Sequence, residues 1–248
     1  MITIPSIAAM SKIKDSGKYY CEETGRDYVI APGNNIHDGL IALFMFRDPM
    51  ITGLPDLMEN NVMNNYDIPS ITVSSSPIGY SASKVTTSNN FIIGTGSQYP
   101  VVTATGYSVS MWVNFNSLAN QTLIGGGAGA LVLYFNAGTW FSTDNVVTGY
   151  ASATDGIPPI VGQWYHIVMV VRGATDVEFF KDNISIKSIA GVGTAYTNGG
   201  ITNTSTQLYR FGGSNANGWP SDAKLSHIRL YDRPLSRTEV TELYKEGL

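Results

Sequence analysis

The sequence predicts an all-β fold, an antiparallel β-sandwich with a short C-terminal helix and an N-terminal arm. Three observations favour this class. From Gly39 onward, nearly every segment between turn formers has the length of a strand. Gly, Ser, Thr and Asn make up 89 of the 248 residues, and these residue types stabilise turns between short strands. A helical period of apolar residues is clear only near the C-terminus, whereas turn signals recur about every 8 to 12 residues.

The predicted strands are rich in β-branched and aromatic residues. They span residues 40–46, 107–115, 130–136, 164–172, 176–182, 184–188, 206–212 and 224–232. In 107–115 apolar and polar residues alternate, which indicates two different faces. One face carries Val109, Met111, Val113 and Phe115, and the other carries Ser108, Ser110, Trp112 and Asn114. Asp182 and Asn183 are predicted to form a hairpin turn, because Asn accepts a left-handed conformation.

One helix is predicted after residue 235. Ser236 and Glu239 have the spacing of a capping box, in which each side chain accepts a hydrogen bond from the other residue's backbone N–H. Gly247 occupies the position expected of a C-terminal cap. The apolar residues that share one helical face are Val240, Leu243 and Tyr244. We expect this helix to pack on the sandwich.

The first 38 residues differ from the rest because they combine a weakly apolar start with a charged stretch and a cluster of turn formers. We expect residues 1–38 to form an N-terminal arm or anchoring segment, and residues 39–248 to form a single sandwich domain. The alternative is that residues 1–38 supply a first strand or two.

Composition excludes several classes of protein. Charged residues are 14% of the chain and the net charge of −4 has no run of one sign, so we expect no nucleic-acid binding. Cys21 is the only cysteine, which excludes an intramolecular disulfide and a thiolate metal site. The histidines, His37, His166 and His227, show no metal-ligand spacing. No segment approaches the roughly 20 apolar residues that span a bilayer, so we expect no membrane insertion.

Four stretches, in order, resemble a known family. They are "GLIALFMF" (39–46), "YSVSMWVNFNS" (107–117), "GQWYHIVMVVRG" (162–173) with the following "VEFFKDNISI", and "AKLSHIRLYDRPLSRTEVTELY" (223–244). They are similar to landmarks of the laminin G-like jellyroll domain of the concanavalin A-like lectin/glucanase superfamily. The resemblance implies two curved antiparallel sheets packed face to face, with any ligand site carried by loops. It does not imply one activity, because such folds host unrelated functions.

Enzymatic members of that superfamily carry two or three carboxylates on one strand, and retaining glycosidases need two carboxyl groups about 5 Å apart. The sequence contains no such set. Asp176 and Glu178 alternate on a strand, but we interpret them as a solvated face. We therefore expect no enzyme and no catalytic residues, and a glycoside hydrolase is kept only as a further alternative.

Many family members bind calcium through an acidic residue of the closing strand, where this chain has Ser226 and His227. Asp48 and Asp222 are carboxylates elsewhere, but Ca²⁺ takes about 6 to 8 oxygen ligands. We predict no metal and no cofactor. Calcium stays open as an alternative that the closing-strand residues do not support.

A sugar site needs an aromatic ring for the apolar face of a pyranose and amide or carboxylate partners for its hydroxyls. Segment 212–222, "GGSNANGWPSD", supplies this chemistry. The predicted carbohydrate-binding residues are Asn215, Asn217, Trp219 and Asp222, with Trp140 and Tyr150 of segment 139–150 as a second candidate. The alternative for Trp219 is ordinary packing under a loop, and Trp112 and Trp164 are expected in the core.

A composition rich in Gly, Ser, Thr and Asn is common on exposed extracellular surfaces, yet the first residues do not resemble a secretion signal. We expect this combination in a virion protein that is released by lysis. The opening also resembles, more loosely, bacteriophage structural proteins with a laminin G-like domain. We expect a homo-oligomeric virion surface protein, either a capsid decoration protein or a tail-fibre adhesin. Its expected partners are other virion proteins, through residues 1–38, and a host-surface glycan. The alternative is a bacterial secreted or cell-surface carbohydrate-binding module.

Overall fold

The structure is a computed structural model. It describes residues 18–21, 26–29, 36, 38–44, 53–55, 62–65, 71–77, 79–84, 91–93, 106–125, 132–136, 139–143, 150–153, 156–172, 176–189, 209–211 and 222–248.

Within these residues the chain forms eighteen strands and one helix. The strands are β1 (Lys18–Cys21), β2 (Arg26–Val29), β3 (Leu40–Phe44), β4 (Gly53–Pro55), β5 (Val62–Asn65), β6 (Ile71–Ser76), β7 (Gly79–Lys84), β8 (Phe91–Ile93), β9 (Gly106–Phe115), β10 (Gln121–Gly125), β11 (Val132–Asn136), β12 (Thr139–Thr143), β13 (Tyr150–Ala153), β14 (Trp164–Arg172), β15 (Asp176–Lys181), β16 (Ile184–Ile189), β17 (Tyr209–Phe211) and β18 (Ala223–Tyr231). The helix is α1 (Arg237–Lys245). No helix in the described part of the chain is long and apolar enough to cross a membrane.

The strands form two large antiparallel sheets. Sheet I has the order β16-β15-β14-β9-β18-β7-β6, and β3 also pairs with β18. Sheet II has the order β13-β12-β11-β10-β17-β8-β5-β4. The all-β antiparallel sandwich with one short C-terminal helix is thereby confirmed.

The core between the sheets is built from the apolar face of β9, as the alternation in its sequence predicts. Val109, Met111, Val113 and Phe115 are all buried. The ring of Phe115 lies 4.8 Å, centroid to centroid, from that of Phe135 in sheet II. Such tilted contacts between rings are favourable beyond the area they bury.

Helix α1 covers the opposite face of sheet I. Its N-cap is Ser236, and the capping box with Glu239 is present as predicted. A hydrophobic cluster joins the helix to the sheet through Leu40, Leu43, Val168, Val170, Phe180, Tyr231, Leu235, Val240 and Leu243. Because both faces of sheet I are covered, all ten residues of β9 are buried, including its polar ones.

The hairpin between β15 and β16 also follows the prediction, because Asp182 and Asn183 both adopt positive φ, 49° and 63°. Gly247 serves a different purpose from the expected one. The C-cap residue is Glu246, and Gly247 does not have a left-handed φ. A Cβ at Gly247 would collide with the Trp112 indole, so the glycine permits close approach of the chain to that ring.

Several strands were not predicted: β4 to β8, β10, β12 and β13. They are short and lack a clean alternation. The predicted segment 206–212 contains only the three-residue strand β17. Strand β18 is interrupted by a bulge between Ser226 and Arg229, where His227 has a φ of 46°.

The arm predicted at residues 1–38 contains β1 and β2, which pair only with each other among the described strands. Strand β3 pairs with β18, so the chain joins sheet I at Leu40. The division of the chain at residue 38 into an anchoring arm and a domain stays a prediction.

Candidate binding site at the loop rim

Three connecting segments meet at one end of sheet I. Strands β14 and β18 flank β9, and the register pairs Trp164 with Asn114 and Ala223 with Phe115. The residues after β9, before β14 and before β18 therefore share one edge of the sandwich. We call residues 116–120, 156–163 and 222 the loop rim. Loops at the end of a rigid sheet are the usual place for binding residues.

The rim is fixed by backbone hydrogen bonds between its segments. The N–H of Gly162 donates to the Phe115 carbonyl at 2.9 Å, and the N–H of Asn116 donates to the Asp222 carbonyl at 2.9 Å. The Asn114 side-chain amide also donates to the Gly162 carbonyl at 2.6 Å. These bonds tie segment 156–163 to β9 and tie Asp222 to Asn116, the residue that follows β9.

Asp222 ends the predicted sugar-binding segment 212–222, and its backbone position is fixed on both sides. Its N–H donates to Gln121 Oε1 at 2.7 Å, while Gln121 Nε2 donates to the Ser117 carbonyl at 2.6 Å. Its carboxylate accepts a hydrogen bond from Asn116 Nδ2 at 3.2 Å. Asp222 is exposed, so its carboxylate can reach a ligand.

Segment 156–163 displays aliphatic side chains to solvent. Ile157 and Ile160 are each 64% exposed, and Val161 is 50% exposed. The segment is nevertheless well anchored, because the Ile160 N–H donates to the Tyr165 hydroxyl at 2.7 Å and the Gln163 N–H donates to the Ile160 carbonyl at 3.1 Å. A rigid loop that exposes three large aliphatic residues is a feature of interaction surfaces.

The predicted sugar-binding residues are only partly within the described chain. Asn215, Asn217 and Trp219 lie outside the described residues. Asp222 lies on the loop rim, as stated above.

The residues of the second predicted sugar site, Trp140 and Tyr150, lie on β12 and β13 of sheet II. The register pairs Trp140 with Phe135 and with Ala153, and it pairs Tyr150 with Thr143. Sugar binding by these two residues stays a prediction.

The residues considered for calcium are arranged as follows. Ser226 and His227 are buried at the bulge of β18, where Ser226 Oγ lies 2.9 Å from both His227 Nδ1 and Ser76 Oγ. Asp48 lies outside the described residues. Among the described residues, no three His, Cys, Asp or Glu side chains are grouped as metal ligands would be.

A second polar cluster lies on sheet I beneath α1. Trp112 stacks on Tyr244 of the helix, with ring centroids 5.9 Å apart, and His166 lies 5.2 Å from Trp112. Ser110 Oγ is 2.9 Å from His166 Nε2. Arg229 donates to Glu246 at 2.5 Å. We call Ser110, Trp112, His166, Arg229 and Tyr244 the helix-covered cluster.

Burial sets the electrostatics of this cluster. His166 is 1% exposed, and burial, with a smaller contribution from Arg229, lowers its pKa from 6.5 to about 3. The imidazole is therefore neutral at physiological pH. At the start of the helix, burial acts to raise the pKa of Glu239, but hydrogen bonds from Arg233 and Ser236 outweigh it and lower the pKa.

A sequence profile of a laminin G family, described as Concanavalin A-like lectin/glucanases superfamily, matches residues 86–241. The chain belongs to this superfamily. No curated protein sequence matches the chain.

Solved structures of the same fold include bacterial toxin domains. The binding domain of Paraclostridial Mosquitocidal Protein 1 is similar with a TM-score of 0.60 and 13% identity, over 85% of this chain and 52% of that one. The binding domain of Botulinum neurotoxin DC, in complex with rat synaptotagmin II, has a TM-score of 0.61 and 10% identity, over 86% and 53%. The chain spans about half the length of these domains.

A carbohydrate-linked domain is similar over almost its whole length. Domain 4 of AbnA, a GH43 extracellular arabinanase from Geobacillus stearothermophilus, in complex with arabinotriose, has a TM-score of 0.57 and 17% identity, over 83% of this chain and 98% of that one. At such identities these likenesses show the shared fold alone, and function has to be argued from the site.

Asp176 and Glu178, the two carboxylates considered as a hydrolase pair, both lie on β15. Glu178 forms an ion pair with Arg172, with 2.7 Å between Oε2 and Nη1, and it accepts a hydrogen bond from Ser185 at 2.7 Å.

Sequence reasoning missed two features of the loop rim. The first is the exposed aliphatic surface of segment 155–162: its prolines and glycines indicate a loop, and the three aliphatic residues among them are a visible signal of an exposed surface. Gln121 was not singled out. Nothing in its neighbourhood indicates that its amide joins two segments about a hundred residues apart.

Proposed function

We propose that this chain is a non-enzymatic recognition domain that binds a host-surface glycan at the loop rim and the adjoining segment 212–222. The observation that carries the proposal is Asp222. Its carboxylate is exposed while its backbone is fixed by Gln121 and Asn116, at the end of a segment that also contains Trp219 and two asparagines. A rigidly mounted acceptor that follows an aromatic residue by three positions in the sequence suits a polyol ligand.

The chemistry of saccharide binding supports this assignment. A pyranose presents C–H groups on one face, which pack on an indole, and hydroxyls at its edge, which bind amides and carboxylates. Trp219, Asn215, Asn217 and Asp222 supply both kinds of group. The similar domain of the arabinanase was solved with arabinotriose, which shows that a sandwich of this fold accommodates an oligosaccharide.

A protein receptor is the second candidate. It is favoured by Ile157, Ile160 and Val161, because exposed aliphatic side chains suit an apolar protein surface better than a sugar ring. The similar neurotoxin domain was solved with rat synaptotagmin II.

We further propose that the domain is displayed on a virion, as a capsid decoration protein or a tail-fibre adhesin, and that residues 1–38 attach it to other virion proteins. The polar, weakly charged composition supports an outward-facing position. Deletion of residues 1–38 is expected to leave a folded sandwich that no longer joins the particle. Assembly of the truncated chain into particles would contradict the anchoring role. A secreted or cell-surface carbohydrate-binding module is the alternative.

The test of the glycan proposal is an array screen of the purified full chain, once with calcium and once with a chelator. We expect binding to a restricted set of host glycans that persists in the chelator. Binding only with calcium would establish a metal requirement that Ser226 and His227 do not predict. Absence of binding under both conditions would contradict a glycan ligand and favour a protein receptor.

A further inference from the structure

One buried amide holds the loop rim together. Gln121 is the first residue of β10, and its side chain is fully buried, at 0% exposure. Polar side chains are rarely buried to this extent unless their hydrogen bonds are satisfied. Both ends of this amide are satisfied, and both partners are backbone groups of the rim: the Ser117 carbonyl and the Asp222 N–H.

The two bonds join parts of the chain that belong to different layers. Ser117 follows β9 and Asp222 precedes β18, both in sheet I, whereas Gln121 begins a strand of sheet II. The amide therefore connects the turn 116–120, the entry to β18 and the start of β10 in the opposite sheet. The Asn116 N–H bond to the Asp222 carbonyl completes the arrangement, so Asp222 is held through both its donor and its acceptor.

We propose that Gln121 is a positioning residue for the binding site: it fixes the end of segment 212–222 at the loop rim without itself touching the ligand. The positioning role stands on the hydrogen bonds alone, and its consequence for affinity rests on the proposed glycan binding. A site that is held in place before the ligand arrives binds more tightly, because less ordering accompanies binding.

Two substitutions with side chains of similar size test the donor and the acceptor of the Gln121 amide independently. Gln121→Glu keeps an oxygen for the Asp222 N–H but cannot donate to the Ser117 carbonyl when ionised. Gln121→Met removes both bonds and retains the volume. Glu242→Ala is the control, because it removes only a side-chain contact with the exposed Lys245 on helix α1, outside the loop rim.

Hydrogen exchange of the full chain tests the positioning role independently of any ligand. We expect the Asp222 amide and residues 116–120 to exchange about tenfold faster in Gln121→Met and less so in Gln121→Glu, with little change in the control. Strands β9 and β14 are expected to keep their protection. Unchanged exchange at Asp222, or equal acceleration throughout β9 and β14 in both variants, would overturn the proposal, the second outcome because it indicates a merely structural residue.

Affinity for the strongest glycan on the array then tests the consequence. We expect binding to weaken about tenfold in Gln121→Met and to change little in Glu242→Ala. If the wild-type chain binds no glycan, the proposed function fails while the exchange result still decides the role of Gln121. If exchange at Asp222 accelerates but affinity is unchanged, the proposal that Gln121 increases affinity by positioning Asp222 is wrong.

Discussion

The loop rim and the helix-covered cluster contain similar kinds of side chain but differ in access. Both regions contain hydrogen-bonding and charged side chains on or beside strand β9: Ser110, His166 and Arg229 in the cluster, and Asn116 and Asp222 at the rim. In the helix-covered cluster the face of Trp112 that a sugar would need is occupied by Tyr244, and His166 is 1% exposed. At the rim, Asp222 is exposed and Ile157 and Ile160 project into solvent.

The difference shows that polar side chains stabilise the fold where a helix covers them. Where loops expose such side chains, they are available to bind a ligand. Beneath α1 the polar groups bind each other, as in the pairs Ser110–His166 and Arg229–Glu246. At the rim the Gln121 side chain and the Asn116 backbone N–H bind the backbone of Asp222 and thereby hold that residue in place. If this contrast is correct, changes under the helix alter stability and changes at the rim alter binding.

The largest effect is expected from Leu243→Ala, which removes a fully buried side chain between α1 and sheet I. The resulting cavity and lost burial are expected to lower the free energy of unfolding by about 3 kcal/mol. Glu242→Ala, on the partly exposed side of the same helix, is the control and is expected to change it by no more than about 0.5 kcal/mol. Urea denaturation measures both, and equal losses would contradict the packing of the helix on the sheet.

The next effect is a pH dependence due to His166. Its pKa is lowered in the folded state, so between pH 6.5 and about 3 the unfolded chain binds a proton that the folded chain does not. Stability therefore falls as pH falls, by about 2 kcal/mol between pH 7 and pH 5. His166→Gln retains a partner for Ser110 but cannot titrate. Between pH 7 and pH 5 we expect the wild type to lose about 2 kcal/mol more of its free energy of unfolding than the variant does. Equal losses in the two proteins would contradict the burial of a neutral His166.

A smaller effect is expected at the helix N-terminus. The Ser236 hydroxyl accepts a hydrogen bond from the Glu239 N–H at 3.3 Å. Ser236→Ala is expected to lower the free energy of unfolding by about 1 kcal/mol, whereas Ser236→Asp retains a cap and is expected to change it little. Thermal unfolding of the two variants compares them directly, and equal midpoints would show that the cap is unimportant.

The smallest effect on stability is expected at the rim. Ile157→Ser combined with Ile160→Ser replaces exposed side chains and is expected to change the free energy of unfolding by less than about 0.5 kcal/mol. If the protein-receptor candidate is correct, the same pair of substitutions reduces receptor binding. A large loss of stability would mean that these side chains pack within the protein, and the contrast between the two regions would fail.

The sequence predicts the local patterns of this fold but not the contacts between residues that are far apart in the chain. The alternation in 107–115 and the capping box at Ser236 are local patterns, and both appear in the structure as expected. The covering of the Ser108–Asn114 face by α1 is not local, since it depends on where a helix more than a hundred residues away comes to rest. The role of Gln121 is equally non-local, because its partners at residues 117 and 222 are brought together only by the sandwich.

The most direct test of the central claim is calorimetric titration of the strongest glycan into wild type, Trp219→Ala and Trp112→Phe. The account predicts that Trp219→Ala weakens binding about tenfold or more with little change in melting temperature. It predicts the reverse for Trp112→Phe, which lowers the melting temperature and leaves affinity unchanged. Unchanged affinity in Trp219→Ala would contradict recognition at the rim, and so would a loss of affinity accompanied by a large fall in stability, because Trp219 would then be a packing residue.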